Sequence, residues 1–389
     1  MTSQIALFNQ RGVAVASDTV VTITSGEGVR TRNNIDKIWT LGGSHLVVVL
    51  VSGRPEINLV DGRILVTEWS RTLDTPLPTV SDYASSFANW LSSDAAPIHE
   101  SGERSLVHEC LREHLRYIYQ GLSDDIEELD LTEHQIPEYF RARVNARIEA
   151  LEQRELYAGA SDESDSSLLD SHQIDSVTMV DRLFEDCPGL EEVRPRLLES
   201  LPLALSRRDH SRTTTLAFVG FGADDMFPKS VQLECRGRYG GIARVTIAEP
   251  FGPSHENLGG ALSMYAQDSA IQGFLRGVQL DALEAIIDGF SDYVIEKSED
   301  KDEGIQRANE MADTVREKIF ERLNTAYVYP MLDTIGSLGL SDLVELARSL
   351  VGIQAMRANA SPTPPGVGGL IESLVIDRSR GIRWTSRLS

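Results

Sequence analysis

The sequence has few cysteines and no long apolar run. Its three cysteines, Cys110, Cys187 and Cys235, are widely spaced and odd in number, which fits neither a disulfide framework nor a CxxC metal pair. No stretch reaches the roughly 18 apolar residues that a membrane span needs. The N-terminus lacks the basic, apolar and small-residue pattern of a signal peptide. These absences predict a cytoplasmic protein that does not bind or cross a membrane.

Positive charge is also scarce. Lys and Arg together number 37 against 59 Asp and Glu, so the formal net charge is −22, which argues against a nucleic-acid partner or an anionic membrane surface. The eight histidines contain no HExxH pattern. We therefore expect no metal site and no cofactor. A chain of 389 residues with 41% hydrophobic content is that of a globular protein with two or three domains, or one domain with a large insertion.

Lysine supplies only 5 of the 37 basic residues, and Lys37 is the only lysine in the first 228 residues. An ammonium group can be desolvated and its pKa tuned, whereas a guanidinium stays charged. Lys37 is therefore either a residue with a chemical role or the remainder of a general preference for Arg. Its rarity alone does not decide between the two.

Hydrophobic periodicity divides the chain into three segments. Residues 1–97 begin with two β-hairpins and continue with two helices, and the hairpin strands are predicted at 4–8, 12–16, 35–41 and 45–51. Residues 98–212 show helical patterns without a strand signal, and they carry 26 acidic against 13 basic residues. Within this acidic segment, the polar tract 160–167 lacks the apolar surface to order itself and predicts a flexible loop.

Residues 213–389 return to strand patterns. The predicted strands are 213–219, 230–235 and 242–248, the predicted helices are 262–295, 305–328 and 341–356, and the closing hairpin is 370–377 with 381–384. Antiparallel strands with helices in separate runs predict an α+β fold rather than a doubly wound parallel one.

Threonine follows the initiator methionine. Thr2 is small enough for Met1 to be removed, which would make Thr2 the first residue. An N-terminal Thr carries a hydroxyl nucleophile and an α-amine of ordinary pKa about 7.7–8.0, so the amine can act as a general base near neutral pH. Asp18 follows an apolar strand, and Lys37 opens the strand Lys37-Ile38-Trp39. Taken singly, the three are also compatible with an ordinary chain start, a turn acid and a solvated charge.

In this order, the residues resemble the N-terminal-nucleophile (Ntn) hydrolases of the proteasome β-subunit type, including the simpler bacterial peptidase that docks on an AAA+ unfoldase. The likeness rests on Thr2, Gly12-Val-Ala-Val-Ala-Ser-Asp18, Lys37-Ile38 and Ser52-Gly53-Arg54-Pro55-Glu56. It covers residues 2–97, 213–250 and 341–384. The resemblance implies a four-layer αββα sandwich of two antiparallel sheets, formed by residues 1–97 and 213–389, with residues 98–212 as a helical insertion.

The resemblance also implies a role for each residue. Thr2 would be the nucleophile and its amine the base, Lys37 would lower the pKa of the Thr2 hydroxyl, and Asp18 would pair with Lys37. The backbone N–H of Gly53 would donate to the oxyanion. The substrate would be a peptide or protein. Since members of this family commonly form rings, we expect a homo-oligomer, with an AAA+ unfoldase or another protein as partner.

The sequence departs from the family at the residues that orient the Thr amine. Active members carry an Arg–Asp pair followed by Ser-Gly before the final strands, and a Gly-Ser-Gly turn before the central helix. The nearest stretches here are residues 357–361 and Gln267-Asp268-Ser269. Three functions therefore stay open: a threonine peptidase, a catalytically silent scaffold whose helical insertion binds a partner protein, and a small-molecule amidase of the same fold.

Overall fold

The structure is a computed structural model that describes residues 2–25, 28–32, 35–208, 213–298, 300–361 and 366–387. Its strands are β1 (Ser3–Asn9), β2 (Gly12–Ser17), β3 (Val21–Ser25), β4 (Gly28–Arg32), β5 (Ile38–Thr40), β6 (Leu46–Gly53), β7 (Glu56–Ile57), β8 (Val60–Asp61), β9 (Thr214–Phe221), β10 (Lys229–Tyr239), β11 (Ile242–Ile247), β12 (Ala261–Ala266), β13 (Glu372–Asp377) and β14 (Gly381–Ser386).

The helices are α1 (Gly62–Ser70), α2 (Val80–Leu91), α3 (Glu100–Leu129), α4 (Ile136–Glu152), α5 (Asp162–Ser171), α6 (Ser176–Phe184), α7 (Leu190–Ser206), α8 (Ser269–Arg276), α9 (Leu280–Lys297), α10 (Lys301–Leu323), α11 (Tyr329–Ser337) and α12 (Leu340–Ala360). A π-helical turn, Asn324–Val328, joins α10 to α11.

Two five-stranded antiparallel sheets form the centre of the fold. Sheet I has the strand order β12-β1-β2-β13-β14, and sheet II has the order β11-β10-β9-β6-β5. Each sheet combines strands from residues 1–97 with strands from residues 213–389. In sheet II, for example, β6 pairs with β9 from Leu46↔Phe221 to Gly53↔Thr214. The helices α3 to α7 lie between α2 and β9 in the chain. Strands that precede this helical segment therefore pair directly with strands that follow it.

Apolar side chains of both sheets share one core. In β1, Ala6 and Phe8 belong to this shared core, whereas Ile5 and Leu7 belong to a cluster with α12 on the opposite face of sheet I. A strand buried on both faces is apolar throughout, which explains why β1 and β2 are almost continuous apolar runs. The main contributors from sheet II are Val48, Leu50, Ala217, Val219 and Phe221.

Helices cover the outer face of each sheet. On sheet II, α1 and α2 bring Trp69 and Phe87 against Phe218, with ring centroids 5.8 and 6.1 Å from the Phe218 ring. On sheet I, α8, α11 and α12 contribute the apolar residues Ile271, Ile335 and Leu343 to the cluster that holds Ile5 and Leu7. Full burial of one such side chain contributes about 1.5–3 kcal/mol, so both helical layers stabilise the sheets.

The tract 160–167 differs from its sequence prediction. Instead of a flexible loop, it contains the start of α5. Asp165 is buried in an ion pair with Arg244 of β11, at 2.5 Å between Oδ1 and Nη2. Asp162 accepts hydrogen bonds from Ser206 and Arg207. The composition of the tract could not reveal these partners because they come from distant parts of the chain, and they supply the stabilisation that the tract lacks on its own.

The prediction of one helix over 262–295 is also corrected. The structure has the edge strand β12, then α8 and α9. β12 pairs with β1 from Ser3↔Ala266 to Phe8↔Ala261. Only two apolar residues with strand spacing, Leu262 and Met264, pack on the sheet I cluster. Two residues are too few to predict a strand. Pairing with the edge of β1 decides the conformation of this segment instead.

Candidate active site

Asp18 and Lys37 form a buried ion pair at the end of the sheets where β1 begins. Asp18 directly follows β2 of sheet I, and Lys37 directly precedes β5 of sheet II. The Nζ of Lys37 lies 2.7 Å from Oδ1 of Asp18, with the two side chains 3% and 0% exposed. The structure therefore brings together the two residues that the resemblance pairs, and it does so across the two sheets.

Both oxygens of the Asp18 carboxylate are hydrogen-bonded. Oδ1 accepts from the backbone N–H of Ser3 at 2.9 Å and from the Lys37 ammonium at 2.7 Å. Oδ2 accepts from the backbone N–H groups of Val20 and Gly368, both at 3.2 Å. These four donors offset the cost of burying a carboxylate. They also fix Asp18 beside the first residues of β1.

The Lys37 ammonium sits between opposing influences. Burial is the largest, and it lowers the pKa of Lys37 because the charged form loses its hydration. The charge and hydrogen bond of Asp18 act in the opposite direction, as does the charge of Glu372. Nζ also donates to the backbone carbonyl of Val20 at 2.6 Å. The result is a fixed, dehydrated ammonium whose pKa lies below that of an ordinary lysine.

Thr2 lies immediately before β1 and is 9% exposed. Its carbonyl oxygen accepts a hydrogen bond from the backbone N–H of Gln267 at 2.8 Å. Its neighbour Ser3 donates to the Asp18 oxygen that also accepts from Lys37. Thr2, the predicted nucleophile, therefore directly precedes the residue whose backbone N–H is hydrogen-bonded to Asp18. Met1, whose removal would free the Thr2 amine, lies outside the described residues.

Two buried polar residues that the sequence pattern did not single out complete this end of the molecule. The two N–H groups of the Gln4 side-chain amide are shared among Ser17 Oγ, Lys37 O and Val51 O, which lie 3.1 to 3.3 Å from Nε2, and this ties β1 to sheet II. Glu372, fully buried, opens β13 opposite Ser17 and acts electrostatically on Lys37. Both are polar residues at the start of a buried, mostly apolar strand, and that position is the signal that could have identified them.

Gly53 ends β6 in a conformation that requires glycine. Its φ is +78°, and a Cβ atom there would lie 2.3 Å from the carbonyl oxygen of Thr213. Gly53 is exposed. Two residues earlier in β6, the Val51 N–H donates to Lys37 O at 3.1 Å, so one strand connects the glycine to the ion pair. Arg54, the next residue, pairs with Glu109 of α3, at 2.8 Å between Nη1 and Oε2.

The two stretches nearest to the family's supporting residues lie in different surroundings. Gln267 contacts Thr2 through the backbone, so the loop between β12 and α8 reaches the candidate site. Arg357, near the end of α12, instead contacts Gln279 and lies 3.7 Å from Asp281 between Nη2 and Oδ2. The Arg357 guanidinium is therefore engaged with α9 and the residue before it.

Comparison with known proteins adds no family assignment: no family model matches the chain, and no curated protein matches it. Among the described residues, no group of three or more His, Cys, Asp or Glu side chains is placed to hold a metal ion. None of the described helices combines the length and the hydropathy that crossing a membrane requires.

Proposed function

We propose that the chain is a threonine-type amidohydrolase, acting on peptides or proteins, with Thr2 as its nucleophile after removal of Met1. The observation that carries the proposal is the shared Oδ1 of Asp18, which accepts from the Ser3 N–H at 2.9 Å and from the buried Lys37 ammonium at 2.7 Å. One carboxylate oxygen thereby holds a dehydrated positive charge beside the start of β1.

The proposed fold is the four-layer αββα sandwich of the Ntn hydrolases. Its support is the core shared by sheets I and II, with one helical cluster on the outer face of each sheet. In this fold, residues 98–212 are the insertion. From the same likeness we infer a cytoplasmic homo-oligomer whose partner is an AAA+ unfoldase or another protein.

The proposed reaction begins at the chain start. The free amine of Thr2 takes the proton of the Thr2 hydroxyl as Oγ1 attacks the carbonyl carbon of the amide. The Lys37 ammonium stabilises the developing alkoxide through its charge, and Asp18 is the positioning residue that holds it. The N–H of Gly53 donates to the oxyanion of the tetrahedral intermediate.

Collapse of that intermediate completes the first half of the reaction. The protonated amine gives its proton to the leaving nitrogen as the C–N bond breaks, and an ester forms on Thr2. Water, deprotonated by the same amine, then hydrolyses the ester and regenerates the free hydroxyl. No cofactor enters either half.

Four chains test this proposal with a pool of fluorogenic peptide amides. Native protein and Thr2→Ser should hydrolyse the pool, because both keep a small second residue and a hydroxyl. Thr2→Ala should be inactive. A chain with Gln inserted between Met1 and Thr2 should also be inactive, since it keeps the hydroxyl but has no free amine on it. Hydrolysis by Thr2→Ala at the native rate would contradict the proposal.

A catalytically silent scaffold, whose helical segment binds a partner protein, is the second candidate. It is favoured by the contacts of Arg357 with Gln279 and Asp281. With Arg357 engaged there, other residues would have to orient the Thr2 amine. Retention of Met1 in a normally folded protein would support this candidate. Hydrolysis of small amides without hydrolysis of any peptide would support the third, a small-molecule amidase.

A further inference from the structure

The helical segment contains a cleft of about 630 Å³ between α3 and α6. Its cationic lining consists of Arg112 and Arg116 of α3 and Arg182 of α6, and His108 lies beside them. His108, Arg112 and Arg116 follow one another at intervals of four residues, so they lie on one face of α3. The cleft is thus a concentration of positive charge in a chain whose net charge is −22.

These three arginines differ from the others in the segment. In the described part of 98–212, each of the other nine engages another residue: Arg104, Arg141, Arg143, Arg147, Arg154, Arg194, Arg196, Arg207 and Arg208. For Arg112, Arg116 and Arg182, no ion pair or hydrogen bond is found among the residues that the structure describes. Acidic residues outnumber basic ones by 26 to 13 in this segment, so the lack of partners does not reflect a shortage of carboxylates.

One carboxylate, that of Asp175, lies among the lining residues, so the three arginines leave an excess of positive charge. The carboxylate of Asp175 caps α6, accepting from Thr178 N at 2.9 Å and from Thr178 Oγ1 at 2.7 Å. The pKa of His108 is lowered by partial burial first, and then by the charges of Arg112 and Arg104. The arginine charges thus act on His108 in the same direction as its partial burial, and both disfavour its protonated form.

We propose that this cleft binds a small organic phosphate of nucleotide size. Guanidinium groups match the oxygens of a phosphate with paired N–H donors, and three of them suit a polyphosphate. The volume lies within the range of about 300–1,000 Å³ that small-molecule sites occupy. Leu115, Met179 and Leu183 give the cleft an apolar part, which an acidic peptide would not need and the non-ionic part of a nucleotide would contact.

Calorimetric titration with ATP in EDTA tests the site. The native chain should bind ATP, and the triple variant Arg112→Gln/Arg116→Gln/Arg182→Gln should lose at least about 100-fold in affinity, since each charged hydrogen bond contributes about tenfold or more. The matched control is Arg141→Gln/Arg196→Gln/Arg208→Gln, which removes the same charge from the same segment at arginines that have partners. It should bind within about twofold of native.

Three results would overturn the proposal: no ATP binding by the native chain, an equal loss in the control variant, or tighter binding of hexaglutamate than of ATP. An equal loss of ATP affinity in both variants would mean that only the net charge of the segment matters. Tighter binding of hexaglutamate would mean that the cleft binds an acidic protein segment. The three cleft arginines are exposed, so the variant should fold. If the triple variant does not fold, Arg182→Gln alone provides the same test, with an expected loss of about tenfold in affinity for ATP. The readout is binding and does not depend on Thr2.

Discussion

Replacement of Asp18 by Asn tests the ion pair on which the proposed site depends. The Asn oxygen can go on accepting from Ser3 N and Lys37 Nζ, which now share Oδ1 of Asp18. The new amide, however, presents its own N–H groups to those of Val20 and Gly368, which donate to Oδ2. The substitution therefore removes the charge opposite Lys37 and leaves two buried backbone donors facing another donor.

The expected cost follows from these contacts. Removal of one partner from a buried ion pair costs about 3–5 kcal/mol, and each buried donor without an acceptor costs about 1–3 kcal/mol. The contributions belong to one hydrogen-bond network and are not additive. We therefore expect the free energy of unfolding to fall by about 4 kcal/mol, measured from the urea midpoint with an unchanged slope.

Asp36→Asn is the matched control. Asp36 pairs with Arg63 at 2.9 Å, but these side chains are 24% and 54% exposed. An exposed pair contributes only about 0.2–1 kcal/mol, so this variant should unfold close to the native midpoint. Equal losses in the two variants, or a loss below about 1 kcal/mol for Asp18→Asn, would refute the reasoning from burial.

Further predictions address other parts of the account. Lys37→Arg should abolish hydrolysis as fully as Thr2→Ala while the chain stays folded, because a guanidinium does not fit where the compact ammonium lies; native activity would contradict this. Gly53→Ala should lower the free energy of unfolding by about 2 kcal/mol, since its φ is +78° and a backbone oxygen lies 2.3 Å from the added Cβ; an unchanged urea midpoint would refute it. Asp165→Ala should speed proteolysis within 160–167 by removing the buried ion pair of α5, and cleavage at the native rate would show that the pair does not order the tract. Hydrolysis should increase with pH as the Thr2 amine, of ordinary pKa about 7.7–8.0, loses its proton; a flat pH profile would exclude the amine as base.

Local pattern was sufficient to predict most of the strands. The strands predicted at 4–8 and 12–16 are confirmed as β1 and β2, and the closing hairpin as β13 and β14, because each is an apolar run bounded by a turn. β12 was missed because Leu262 and Met264, the apolar residues that it turns toward the helices on sheet I, are too few to show a period. The start of α5 was predicted as a loop because one of its contacts, the ion pair of Asp165, is made with Arg244, 79 residues further along the chain.

The candidate site was likewise predictable only in part from the sequence. Thr2, Asp18 and Lys37 stand in a recognisable order along the chain, and the structure places the last two in contact. The N–H of Gly368 reaches Asp18 across 350 residues, and Glu372 reaches Lys37 because β13 pairs with β2. Such contacts depend on the order of strands within a sheet, which hydrophobic periodicity does not specify.

The intact mass of natively expressed protein, combined with sequencing of its N-terminal peptide, tests the central claim most directly. The account predicts a chain that begins at Thr2, and a single covalent adduct on that residue after treatment with an acylating β-lactone. Quantitative retention of Met1, or an adduct that persists unchanged in Thr2→Ala, would contradict the assignment of Thr2 as the nucleophile.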